Sequence, residues 1–315
     1  IHEPNSTWSK DKLNQVVQTF FPKLEDQKTN GTSHDIGFKI FLPYVLAYKI
    51  TNDNNYKNII ETAAKTLSSR YNDKVGMIKS WDNSRYGDEF VVITDNLMNL
   101  ELLLWAGKNL NNPLYTKQAI SHLDKTMNDF PIDKDSGCMW HVVVYDVNTG
   151  QPKKKSGIPQ GYSDTQSIWS RGMAWTIYGY TMAYRYTNLE RYKTFAQKAL
   201  DCYLQKMKEL NVKDNIPPFD FKAPTDKLSI KDSSAAAIIA AALYEWNDGD
   251  KKQLADSIIK DLENNYTSGD NYQYILLHGY TDLEKKQIDN ALIYGDYYYT
   301  EAKLKSMNVG IDKMR

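Results

Sequence analysis

The feature that most constrains the fold is an alternation of two kinds of helical segment, repeated five times along the chain. One kind carries an apolar stripe at the helical period. Leu13, Val16, Val17, Phe20, Phe21 and Leu24 form one such stripe, and Tyr192, Phe195, Ala196, Ala199, Leu200 and Tyr203 form another. Similar stripes run through residues 56–67, 119–127 and 254–262. Each has a charged opposite face, so each covers a core from one side. The other kind, at 36–50, 96–106, 174–186, 234–246 and 292–304, is apolar or small nearly all round, which predicts burial on every side. Strict alternation of the two predicts an all-α, two-layer α/α toroid, an inner ring of helices wrapped by an outer one. Identity between the pairs is too weak to read as a solenoid repeat.

The 315 residues are read as one domain over 1–315. They include 39 basic and 39 acidic side chains, and this balance argues against a nucleic acid or an anionic membrane as partner. No apolar run reaches the ~18 residues of a membrane span. Two cysteines, Cys138 and Cys202, exclude a disulfide scaffold and leave the redox compartment open. The chain starts at Ile1, with no visible signal or lipid-attachment motif, so a preceding segment is expected to have been removed or to lie outside it.

Connections between the predicted helices are asymmetric. Those from buried to one-faced helices are short. Those leading into the buried helices, at 71–94, 131–167, 208–231 and 267–291, are long. Long loops in a compact domain usually carry function. All four feed the N-termini of inner helices, so they are expected to crowd one rim of the toroid. Within 131–167, the apolar, β-branched stretch 139–146 followed by Asn148-Thr149-Gly150 predicts a small β-hairpin.

Polar residues recur where the inner helices begin: Asp35, Asp95 and Asp232 open three of them, and Arg171 lies near the start of another. Asp is a favoured N-cap, and capping would account for any one of these alone. Their convergence on one rim, with cationic and aromatic groups, points instead to paired carboxylates flanking a sugar. One of the pair must then hold a proton, which needs burial or a neighbouring carboxylate to raise its pKa against the opposing pull of the helix dipole. Arg171 and Trp175 share a helix face; the guanidinium can fork onto a carboxylate while the indole stacks on a sugar ring. Trp169, two residues before Arg171, His141 in the hairpin and Trp81 before Asp95 fall on the same rim. No metal-ligand spacing is present.

Gln160-Gly161-Tyr162, then Trp169-Ser170-Arg171-Gly172-Met173-Ala174-Trp175 through Gly179, resemble the signature of the unsaturated glucuronyl hydrolases, glycoside hydrolase family 88. His34-Asp35-Ile36-Gly37-Phe38 and Thr94-Asp95-Asn96-Leu97-Met98-Asn99-Leu100 resemble that family's two aspartate motifs. Lys231-Asp232-Ser233-Ser234-Ala235 and Tyr294-Gly295-Asp296-Tyr297-Tyr298-Tyr299 also fit it, in order, over about residues 9–305.

The resemblance implies an (α/α)6 barrel and a bacterial enzyme without metal or organic cofactor. Its substrate would be a lyase-made oligosaccharide, from a glycosaminoglycan, ulvan or another uronic-acid polysaccharide, ending in a 4,5-unsaturated uronate. The vinyl ether would be hydrated rather than displaced at the anomeric carbon. By the resemblance Asp95 is the general acid and Asp35 assists it. His141, Gln160 and Arg171 hold the uronate, Trp81 and Trp175 stack on sugar rings, and Trp169 joins the substrate-binding set. A periplasmic or a cytoplasmic location fits this chemistry.

The sequence departs from the family pattern in three ways. Ten helices are read instead of twelve, so the first pair is expected to be absent, opening the toroid and exposing two inner helix faces that could self-associate. Met173 stands where the family usually has Gln, and Pro159 where it commonly has His. Glu284, Lys285, Lys286 and Gln287, in a stretch that would meet the neighbouring sugar, read as a solvated charge run. Two alternatives remain at this point: an unsaturated rhamnogalacturonyl hydrolase with the same chemistry, and an inactive sugar-binding relative. A sugar epimerase fits the fold alone.

Overall fold

The computed structural model describes residues 10–310 other than 83, 247 and 270–272; the side chains of residues 10–14 and 16, with Leu13 and Val16 of the first stripe, lie outside it. Ten α-helices occur among the described residues. The one-faced set comprises α1 (Lys10–Glu25), α3 (Asn54–Ser68), α5 (Pro113–Asp129), α7 (Glu190–Glu209) and α9 (Gly249–Asn265). Between them come α2 (Leu42–Thr51), preceded by a π-helical turn at Gly37–Phe41, then α4 (Asn96–Asn109), α6 (Ser170–Thr187), α8 (Ser233–Glu245) and α10 (Ile293–Ser306). The two sets together make a two-layer α/α barrel.

Periodicity becomes packing as expected in the middle of the chain. Outer helix α3 buries Ile59, Ile60, Ala63, Ala64 and Leu67, and α7 buries Tyr192, Phe195, Ala196, Ala199, Leu200, Cys202 and Tyr203. Inner helix α4 is buried continuously from Asn96 to Gly107, α6 from Ser170 to Ala183 and α8 from Ser233 to Leu243. Two glycines permit the close approach of inner helices. A Cβ on Gly37 would stand 2.7 Å from Asn99 Cα, and one on Gly179 would stand 2.6 Å from Leu97 Cβ.

Two inner helices depart from the expectation of all-round burial. In α10 only Gly295, Tyr298, Glu301, Ala302 and Lys305 are buried, and Ile293 is 83 % exposed. In α2, Ile50 at the C-terminal end is likewise exposed. The physical reason is position. Helices α4, α6 and α8 have an inner neighbour on each side, whereas α10 packs only on α8 and α9 among its principal contacts.

The predicted hairpin is present, as β4 (Val142–Tyr145) and β5 (Pro152–Ser156). Asp146 Oδ1 accepts the N–H groups of Asn148 and Thr149 at its turn, and Gly150 takes φ +70°. The sequence reading missed its partner. The run Phe90-Val91-Val92-Ile93 forms β3 (Phe90–Ile93), which pairs antiparallel with β4 so that Ile93 opposes Val142. A two-residue pair, β1 (Tyr71–Asn72) and β2 (Met77–Ile78), precedes it. The two cysteines are joined: the Cys138–Cys202 disulfide, with Cα atoms 5.5 Å apart, ties the approach to the hairpin onto α7.

The long loops meet on one rim. Ser33 bridges Trp81, Trp169 bridges Asp220, and Ser233 N–H donates to the His278 carbonyl at 3.1 Å. Arg85 and Glu284, from loops 199 residues apart, pair at 3.4 Å. No helix among the described residues is long and apolar enough to cross a membrane.

Candidate active site

The register of β3 on β4 builds the centre of the site. Pairing of Ile93 with Val142 continues one step further, where Thr94 N–H donates to the His141 carbonyl at 3.1 Å. The residue after Thr94 is Asp95, at the head of α4. A strand end and a helix start therefore set Asp95 beside His141, whose Nδ1 lies 3.8 Å from Asp95 Oδ2. The other carboxylate is tied in through α4. Asn99 Oδ1 accepts Phe38 N–H at 2.9 Å, and Asn99 Nδ2 donates to the Asp95 carbonyl at 3.1 Å. The turn that follows Asp35 is thereby hydrogen-bonded to the helix that Asp95 opens.

Neither Asp95 nor Asp232 caps its helix through its side chain. This removes the ordinary reason for an aspartate at those positions. The Asp95 side chain is 20 % exposed. Burial raises its pKa from 3.8 to about 6; the charge at His34 opposes the rise, the Asp35 carboxylate adds to it, and Arg171 opposes it. A carboxyl group protonated near neutral pH is suited to act as a general acid.

His141 is the neutral partner. Burial pushes it down to about 3, only partly offset by its hydrogen bond to Gln160. Its Nε2 lies 2.7 Å from Gln160 Oε1 and its Nδ1 3.1 Å from Thr94 Oγ1. A neutral ring that donates from Nε2 to the amide oxygen accepts from the Thr94 hydroxyl at Nδ1. Tyr162 N–H and Ile168 N–H both donate to the buried carboxylate of Asp220, which fixes the loop that carries Gln160. Asn99, Thr94 and Asp220 were not among the residues singled out from sequence. The first two sit in the quoted Thr94–Leu100 motif, but nothing in the sequence marks them as bridging groups.

Trp81 is half-buried, with its ring 6.5 Å from that of His141 and 6.4 Å from that of His34. Two other tryptophans are placed differently from the sequence reading. Trp175 is 2 % exposed, enclosed by Phe38, Tyr294 and Tyr298, so its ring is part of the wall and offers no open face to a sugar. Trp169 is equally buried, between the His141 ring at 4.4 Å and the Arg171 guanidinium at 4.6 Å. The cause is the all-round burial of α6, which contains Trp175 and starts just after Trp169.

Arg171 is buried as well. Its Nη1 donates to Asp232 and, at 2.6 Å, to the Tyr280 carbonyl, and its guanidinium lies 5.1 Å from the Tyr294 ring centre. It therefore supplies fixed positive charge behind Asp95. Met173 is buried too and accepts the Met139 N–H at 3.4 Å, so it packs beneath the site. Lys285 and Glu284 are solvent-exposed, as a solvated charge run should be. Among the described residues no group of three or more His, Cys, Asp or Glu could hold a metal ion.

Residues 5–305 match the family model described as Glycosyl Hydrolase Family 88. An unsaturated glucuronyl hydrolase of Formosa agariphila is 38 % identical over 296 residues, covering 91 % of this chain and 72 % of the relative. An unsaturated chondroitin disaccharide hydrolase of Streptococcus pneumoniae is 31 % identical, over 94 % of this chain and 76 % of that one. Among solved structures, an unsaturated glucuronyl hydrolase specific for heparin aligns with TM-score 0.86 at 35 % identity, covering 95 % of this chain and 81 % of its own. The enzyme of Bacillus sp. GL1 aligns with TM-score 0.85 at 27 % identity, with the same coverage. A raised acid at a strand–helix joint, a neutral imidazole beside it and a match along nearly the whole chain agree: this chain belongs to glycosyl hydrolase family 88.

Proposed function

We propose that this glycoside hydrolase removes a 4,5-unsaturated uronate from the non-reducing end of an oligosaccharide by hydrating the uronate's vinyl ether. The observation that carries the reading is Asp95. Held at the junction of β3 and α4, it has a pKa raised to about 6 by burial, and His141 stands neutral beside it.

The chemistry follows from the electron demand of a vinyl ether. Asp95 donates its proton to C4, and the ring oxygen stabilises the positive charge that appears at C5. The carboxylate left on Asp95 then takes a proton from a water molecule as that water adds to C5. The resulting hemiketal opens by breaking the bond from C5 to the ring oxygen. The hemiacetal thus formed at C1 collapses, freeing the shortened sugar as an alcohol and the uronate as an open-chain dicarbonyl. One water is consumed per turnover. Asp35 accepts hydroxyl hydrogens of the uronate and, as a second carboxylate, favours the protonated form of Asp95. Gln160 orients the sugar and fixes the tautomer of the buried His141, while the half-buried Trp81 packs against the unsaturated sugar. Arg171 contributes long-range attraction for the uronate carboxylate.

The relatives named for chondroitin, heparin and glucuronyl substrates support a uronic-acid polysaccharide, a glycosaminoglycan fragment first among them, as the source. No observation favours a rhamnogalacturonyl substrate. The Cys138–Cys202 bridge supports the periplasm over the cytoplasm, because thiol pools keep such cysteines reduced in the latter. The test is absorbance of the conjugated alkene over time, with purified protein and unsaturated disaccharides from several lyases. Decay with a uronate-terminated disaccharide is expected. Saturable binding without decay across the panel would overturn the reading in favour of a sugar-binding protein.

A further inference from the structure

His34 is a buried titratable side chain beside the acid that the chemistry above leaves without a task. Its main-chain N–H and its ring Nδ1 both face the Ser80 carbonyl oxygen, at 2.9 and 3.0 Å. A carbonyl only accepts, so Nδ1 carries a hydrogen. The other nitrogen, Nε2, is buried without a hydrogen-bond partner, on a side chain 1 % exposed, and stands 3.3 Å from Asp35 Oδ1. With Nδ1 occupied, Nε2 is either a bare lone pair or the second N–H of an imidazolium. A bare lone pair there would set a nitrogen that is out of reach of water against the acceptor oxygen of a carboxylate. A proton between them makes an ion pair.

The rest of the surroundings fit one proton at this place. Asp35 is gripped from its other side, where Oδ2 accepts the Ser33 hydroxyl at 2.9 Å and the Asp35 N–H donates to the Ser33 Oγ at 3.2 Å. Four groups face His34 electrostatically: Asp35 and Asp95 as carboxyls, and His122 and His141 as imidazoles. Burial holds both of those imidazoles down at about 3, so neither competes for a positive charge.

We propose that His34 is a positioning residue acting through Asp35: a proton held between His34 Nε2 and Asp35 Oδ1 locks that carboxylate toward the incoming sugar and sets one positive charge behind the Asp35–Asp95 pair. The inference rests on the hydration reading above. Without that charge, Asp35 becomes a bare neighbouring anion, and Asp95 keeps its proton to higher pH.

The experiment compares His34→Gln with wild type as pH–rate profiles of alkene decay. The expected result is an alkaline limb of kcat/KM moved up by about one pH unit. A kcat lower by about tenfold or more should accompany it, with a much smaller change in KM. A loss of kcat with the limb unmoved would make His34 merely structural and overturn the proposal. Should His34→Gln not fold, ¹⁵N NMR of histidine-labelled wild type decides. Both ring nitrogens of His34 should be protonated at about pH 6, and one should be bare in Asp35→Asn. A bare Nε2 in the wild type would refute the proposal. If the wild type fails to consume any unsaturated disaccharide, the functional reading falls, while the NMR result still reports on the shared proton.

Discussion

Asp95→Asn should abolish turnover and stabilise the protein at once, and the second effect has a size and a sign that follow from the fold. Burial raises the Asp95 pKa from 3.8 to about 6. A group with a raised pKa contributes fully to stability below its unfolded value, and that contribution is lost as pH climbs through the folded value. The shift of about two units corresponds to ~3 kcal/mol, and solvent at the partly exposed carboxylate trims this to about 2–3 kcal/mol. For 315 residues the unfolding entropy is about 0.66 kcal/mol/K, so the variant should melt about 3–5 °C higher at about pH 8. Asparagine cannot ionise, so the gain should shrink to nothing near about pH 3.5, where the wild-type carboxyl is protonated in both states. Differential scanning calorimetry across pH, alongside alkene decay, reads both effects. An equal melting difference at both pH extremes would show that packing, rather than a buried proton, distinguishes Asp95. Turnover retained by the variant would remove Asp95 from the acid role.

Three further outcomes are expected. In the wild type, kcat/KM should fall about tenfold per pH unit above about pH 6, as Asp95 loses its proton; a profile flat to about pH 8 would contradict the assignment. Gln160→Leu should leave His141 Nε2–H without its acceptor, at a cost of about 1–3 kcal/mol that appears mainly as a raised KM for the disaccharide; an unchanged KM would separate Gln160 from the sugar. Reducing the Cys138–Cys202 bridge, or replacing both cysteines by serine, should lower stability to denaturant by about 4 kcal/mol, because it frees a loop of 64 residues in the unfolded chain; no change would mean that the thiols are unpaired in solution.

Helices were the most legible part of this chain, because burial of a cylinder is written directly into the period of its apolar residues. Where the period was read as burial on every side, the number of neighbours decided the outcome: α6 met that expectation and α10, flanked on one side, did not. The strand at Phe90–Ile93 was missed because four consecutive apolar residues carry no period, and only the partner at Val142–Tyr145 makes them a strand. Asp35, Asp95, His141 and Gln160 were found from their motifs and places in the chain, and the structure brings Asp95, His141 and Gln160 into contact or near contact. A sequence cannot tell a capping aspartate from a buried acid, since both stand at helix starts; the missing cap bond at Asp95 tells them apart. Nor could it separate Trp81, which keeps an open side, from Trp169 and Trp175, which the same aromatic logic had grouped with it.

Asp95 stands where a buried strand runs into a buried helix, while Trp81, Gln160 and the 278–290 stretch ride on connecting loops. The proposed proton donor is thus mounted on the frame, and the surfaces that would meet the rest of the sugar chain are mounted on parts that can lengthen, shorten or change sequence without moving it. Variation is cheap in the one and costly in the other. Descendants of such a chain could take up new polysaccharides by loop exchange while the hydration step was inherited intact, and grafting loops between relatives is the corresponding route for anyone who wants to redirect it.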